Sequence, residues 1–110
     1  MIYKMKLSQV KDLLDAKVYA GEDMLDTEVK EACGSDLMSD VLAFVKDEAL
    51  LLTGLQNLQV LRTAEMMDIQ AVVFVRGKVP AQELIDFANG HGMVIMTTEL
   101  PMFVSCGILY

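Results

Sequence analysis

Apolar residues in this chain fall into two arrangements that alternate along it: unbroken runs of four or five, and stripes at helical spacing. The runs are residues 49–52, 71–75 and 93–96. None alternates with polar residues, so each predicts a strand covered on both faces, as in a parallel sheet between helices. The stripes follow the runs. After Thr53-Gly54-Leu55-Gln56, Asn57 predicts an N-cap, with Val60, Leu61, Ala64 and Met67 on the inner face of a helix and Gln59, Arg62 and Glu65 facing outward. After Arg76-Gly77-Lys78, Pro80 suits the first turn of a second helix. Its inner stripe is Ala81, Leu84, Ile85 and Ala88, and Asn89-Gly90-His91-Gly92 stops it. Strand, loop, helix and strand in succession form βαβ units. The fold class expected is therefore α/β, a three-layer α/β/α arrangement with a mostly parallel central sheet.

Patterning is weaker toward the amino terminus. Ser8 predicts the cap of a short helix with Val10, Leu13 and Leu14 on one face. Residues 18–20 read as a brief strand closed by Gly21, residues 22–28 as an acidic turn, and residues 29–33 as a strand ended by Gly34. Ser35 or Asp36 would cap a helix running to about Lys46, its apolar face made by Leu37, Val41, Phe44 and Val45. At the other end, Thr97 or Thr98 predicts the cap of a last helix with Pro101 in its first turn. Residues 100–110 hold no charged side chain. A helix apolar all round is buried or forms a contact surface, so self-association through Leu100, Phe103, Val104 and Ile108 is expected.

Composition narrows the classes. The 110 residues make one domain, residues 1–110, and 54% hydrophobic with 23% charged residues excludes general disorder. A net charge of −7 argues against nucleic-acid and anionic-membrane partners, which need a basic surface. No apolar run approaches the ~18 residues of a membrane span. The amino-terminal Met-Ile-Tyr-Lys-Met-Lys does not read as a signal peptide, and a cytoplasmic location is expected. Cys33 and Cys106 belong to no Cys-x-x-Cys pair and read as reduced, mostly buried thiols.

Little of the usual catalytic equipment is present. The single histidine, His91, lies in a helix-to-strand turn, at the edge of the sheet away from the loops that follow the strands, and reads as a turn residue. No catalytic residue, metal site or cofactor is expected, and the chain does not read as an enzyme. The stretch Thr53-Gly54-Leu55-Gln56-Asn57 lacks the second glycine and the Gly-Lys-Ser/Thr ending of a P-loop. A ligand site remains. In a mostly parallel sheet three loops share the carboxyl edge and supply Thr53, Gly54, Gln56 and Asn57, then Arg76 and Lys78, then Thr97 and Thr98. Amides at helix starts, with Arg76 and Lys78, suit an anion; the competing reading is that these residues are caps and turns.

Residues 34–41, Gly-Ser-Asp-Leu-Met-Ser-Asp-Val, stand with Leu51-Leu52-Thr53-Gly54, Val73-Phe74-Val75-Arg76-Gly77 and the ending Met102-Phe103-Val104-Ser105-Cys106-Gly107-Ile108-Leu109-Tyr110. In this combination the chain resembles the DRTGG domain family, over about residues 8–110. Related domains lie beside phosphotransacetylase catalytic regions and between the CBS modules of regulatory pyrophosphatases, and the amino-terminal domain of HPr kinase is similar in fold. The resemblance implies an α/β/α fold, usually dimeric, with a regulatory role and no catalytic residue. In the CBS-containing relatives the neighbouring modules bind adenine nucleotides, while the DRTGG domain contributes to the dimer contact. The family's signature loop falls on Gly54-Leu55-Gln56-Asn57, which holds neither Asp nor Arg. The function expected is thus a non-catalytic regulatory domain that forms a homodimer and senses a small anionic metabolite or adenine nucleotide. The alternative is an interaction module that docks on a protein partner through its last helix and takes no small molecule.

Overall fold

The computed structural model describes residues 5–35, 49–77 and 79–110. In chain order the described elements are β1 (Met5–Lys6), α1 (Leu7–Leu14), β2 (Lys17–Ala20), a short 3-10 turn (Glu22–Met24), β3 (Glu28–Val29) and β4 (Glu31–Gly34). They continue with β5 (Ala49–Thr53), α2 (Leu58–Met66), β6 (Ala71–Phe74), α3 (Gln82–Gly90), β7 (Val94–Thr97) and α4 (Met102–Leu109). The central sheet has the order β2-β7-β6-β5-β4, and a two-stranded ribbon, β1-β3, stands apart from it. β4 through β7 run parallel, and β2 closes one edge antiparallel to β7. The α/β/α reading holds.

Register and side-chain period divide the core into two layers. Cys33, Leu51, Val72 and Ile95 sit level across four strands. Their face, with Phe74, packs on Val60, Leu61 and Ala64 of α2 and on Leu84 and Ala88 of α3. The alternate residues Leu50, Leu52, Val73 and Met96 face the other way, onto Leu7, Val10 and Leu14 of α1 and Leu109 of α4. Each fully buried side chain of this size contributes about 1.5–3 kcal/mol relative to exposure. Strands loaded on both faces, as β5, β6 and β7 are here, therefore hold the sheet ends in place.

Several local expectations need correction. Lys6, not Ser8, caps α1, because its amide donates to the Gln9 side chain at 2.9 Å. Leu13 is then turned outward and about half exposed, while Leu7 joins the buried stripe. The strand expected over residues 29–33 breaks at Lys30 into β3, which pairs with β1, and β4, which pairs with β5. Ala81 is the exposed cap of α3, so Pro80 precedes the helix instead of entering its first turn. Pro101 occupies the cap position of α4, which neither Thr97 nor Thr98 takes. The helix expected between Ser35 and Lys46 lies outside the described residues, as does Lys78. Asn57 caps α2 as expected, its side chain accepting from the Val60 amide at 3.0 Å.

Candidate functional site

The parallel ladder continues past the strand ends and ties the carboxyl-edge loops together. The Ser35 amide donates to Leu52, Val75 to Thr53 and Thr98 to Phe74, each at 3.0 Å. Past Val75 the chain turns through Arg76 and Gly77, both left-handed at φ 70° and 71°. Glycine takes this conformation freely, but an arginine there costs about 1–2 kcal/mol. The turn is pinned to the neighbouring loop: the Arg76 amide donates to Leu100 at 3.0 Å and the Gly77 amide to Thr98 at 2.8 Å.

That turn sends the Arg76 side chain over Gly54. A β-carbon on Gly54 would lie 2.8 Å from the guanidinium carbon, so glycine is what lets the cation rest on the end of β5. Gly54 is buried beneath an exposed Arg76. Beside it opens a shallow cleft of about 430 Å³, lined by Ser35, Arg76 and the first turn of α4, including Phe103. A planar, bidentate cation next to an exposed aromatic ring can hold a phosphate or carboxylate and stack a flat group.

Other expected ligand residues serve the backbone. The Thr53 hydroxyl accepts from the Leu55 amide at 3.2 Å, and Asn57 is engaged in its cap. The Thr98 hydroxyl donates to the Leu14 carbonyl at 2.7 Å and accepts from the Leu100 amide at 3.3 Å, which ties the end of α1 to the loop after β7. Neither Gln56 nor Asn57 lines the Arg76 cleft. Thr97 and Thr98 face a second cleft, of about 510 Å³, to which the turn contributes Gly77 instead of Arg76. The structure therefore brings Arg76 onto Gly54 and parts it from the threonines. Ser35, read from the sequence only as a candidate helix cap, lines the cleft with Arg76 because strand order brings the end of β4 to the same edge.

Gly34 has a comparable role under α4. A β-carbon there would fall 2.6 Å from Cys106 Sγ and 3.1 Å from Met102 Sδ, so glycine allows the helix to seat on the edge strand. Burial pushes the Cys106 thiol above its ordinary range. The unfolded chain then loses this proton first, and stability is full below the usual thiol pKa and falls as pH rises through the window above it. Alkaline melting curves of Cys106→Ala should show a shallower decline than the parent. Equal slopes would mean the thiol is as hydrated folded as unfolded. Cys33 packs toward α2 and α3, on the opposite face of the sheet, so the two cysteines are not placed to pair.

His91 ends α3 at the amino edge, stacked on Phe87 with ring centroids 3.9 Å apart and 3.4 Å from a Glu65 carboxylate oxygen. It is a helix-end contact away from both clefts. No described helix is long and apolar enough to cross a membrane.

Sheet order, layering and edge loops define a small α/β/α domain. No family model matches the chain, and no curated protein does. A solved structure is similar: the CBS and DRTGG domains of the regulatory region of Clostridium perfringens pyrophosphatase, complexed with its activator, diadenosine tetraphosphate. The TM-score is 0.77 at 15% identity, over 94% of this chain and 45% of that one. The fold is DRTGG-like, and the chain spans less than half the length of that structure.

Proposed function

We propose that this domain is a non-catalytic regulatory module that pairs with a second copy and senses a small anionic metabolite or adenine nucleotide at the Arg76 cleft. The observation that carries the reading is Arg76, held in an unfavourable backbone conformation over a glycine and beside the exposed Phe103 ring. Strain of that kind points to a role for the side chain it positions. Support comes also from the similar pyrophosphatase structure, whose regulatory region binds an adenine-containing activator.

A thermal-shift panel of AMP, ADP, ATP, dinucleoside polyphosphates, acetyl phosphate and simple anions tests the ligand. At 100 times its dissociation constant, a ligand stabilises by about 2.7 kcal/mol. For a domain of this size that is about 10 °C in melting temperature. Arg76→Ala should abolish the shift and leave the unliganded melting temperature nearly unchanged, because alanine keeps the same backbone geometry. A panel without response, or a shift that survives Arg76→Ala, overturns the assignment.

The second reading, an interaction module for a protein partner, draws on α4. Ser105 and Leu109 are buried under it, while Phe103, Val104, Ile108 and the following Tyr110 form an exposed apolar strip. Leu100 belongs instead to the layer between α1 and the sheet.

A further inference from the structure

The second carboxyl-edge cleft carries chemistry of its own. Lys17 and Thr97 are register partners across the antiparallel β2-β7 pair, so their side chains share a face. Thr97 lies two residues beyond Ile95, which places that face on the α3 side of the sheet. The Thr97 residue is 93% buried (7% exposed), yet its hydroxyl makes no hydrogen bond to any described residue. Its neighbour Thr98 is, by contrast, engaged as both donor and acceptor. The hydroxyl is nonetheless open to the cleft, since the one buried side-chain oxygen without a partner among the described residues is that of Ser105, and a ligand oxygen can replace the water that reaches Thr97.

Charge and shape narrow the ligand. The Lys17 ammonium lies 5.3 Å from the centre of the Tyr19 ring and forms no ion pair among the described residues. Asp15 and Glu99 line the same cleft, and neither pairs with Lys17. Opposite charges in one cleft, left unjoined, suit a molecule that carries both. Leu13 and Val79, 48% and 69% exposed, supply partly exposed apolar walls. At about 510 Å³ the space is in the range of small-molecule sites.

We infer that this cleft binds a zwitterion with an apolar body, an α-amino acid with a hydrophobic side chain. Its carboxylate sits on Lys17 and the Thr97 hydroxyl, its ammonium faces Asp15 and Glu99, and its side chain lies between Leu13, Val79 and the Tyr19 ring. The site is distinct from the Arg76 cleft and does not depend on it.

Amide NMR titration of the 110-residue chain with L-leucine and L-phenylalanine tests the proposal, with isocaproate and isoamylamine as analogues lacking the ammonium or the carboxylate. The amino acids should shift the amides of Lys17, Gly77 and Thr97, and each analogue should bind at least about tenfold more weakly. Lys17→Gln should weaken leucine by about tenfold or more. Thr97→Val should weaken it comparably, and Arg76→Ala should leave leucine unaffected. The proposal is overturned if neither amino acid shifts the cleft at about 10 mM, enough to fill a site of about 1 mM dissociation constant. It is equally overturned if isocaproate binds as well as leucine, or if Lys17→Gln binds leucine like the parent. Lys17 is exposed, so that variant reports on binding even if Thr97→Val folds poorly.

Discussion

Phe74→Ala is expected to lower the stability of the domain by about 3–5 kcal/mol. Phe74 is fully buried at the end of β6, between the ends of β5 and β7, where Thr53 and Thr97 are its register partners. Its ring packs in the layer that α2 and α3 cover, and its carbonyl accepts the Thr98 amide. A cavity there has strands on both sides and helices above it, so little can move in to fill it. Against a total of about 5–15 kcal/mol, the loss removes a large share of the fold's stability. Urea unfolding should show a lower midpoint with an unchanged slope. Met66→Ala, at a side chain 68% exposed on α2, is the contrast and should stay within about 0.5 kcal/mol of the parent. If Phe74→Ala cost as little as Met66→Ala, the two-sided core described above would be wrong.

What the sequence disclosed follows the range of the interactions. β5, β6 and β7 were legible because burial on both faces leaves an uninterrupted apolar run, a signal contained within each segment. α2 and its Asn57 cap were legible for the same local reason. β1 and β3 are two residues each and gain their meaning only from each other across some twenty residues, so no local pattern marks them. The Ser8 cap failed because the Gln9 side chain, one position further along, reaches back to the Lys6 amide.

The site divides along the same line. That the loops after β5, β6 and β7 share one edge follows from parallel strands, and Arg76 could be placed there. Its seat on Gly54 depends on a left-handed turn that propensity does not favour for arginine. Lys17 and Tyr19 were passed over because β2 meets β7 some 80 residues later in the chain, with a register irregularity between Val18 and Ala20. A bulge at such a place re-aims a side chain, and it leaves Tyr19 beside the second cleft. Threonines that looked equivalent in sequence also separated, since Thr98 is tied to α1 and Thr97 is not.

Phe103→Asp is expected to dissolve self-association while leaving the monomer folded. Phe103 is 89% exposed in the first turn of α4, at the head of the strip that continues through Val104 and Ile108. Because the ring is barely buried in the single chain, losing it should cost little in folding. Placing a carboxylate in the first turn of a helix adds about 0.3–1 kcal/mol of favourable dipole interaction. In a contact between copies the same change works the other way. An aromatic anchor is worth about 2 kcal/mol or more, and an unpaired carboxylate must also be desolvated. Together these raise the dimer dissociation constant by at least about thirtyfold. Sedimentation equilibrium of parent and variant, with melting temperatures measured on the same samples, separates the two terms. A parent that stays monomeric at high micromolar concentration would remove the dimer. Cooperative unfolding of the variant would instead mean that Phe103 belongs to the core. Loss of association at an unchanged melting temperature is the outcome expected if the copies pair through this strip, because only a surface residue can weaken the pair and spare the monomer.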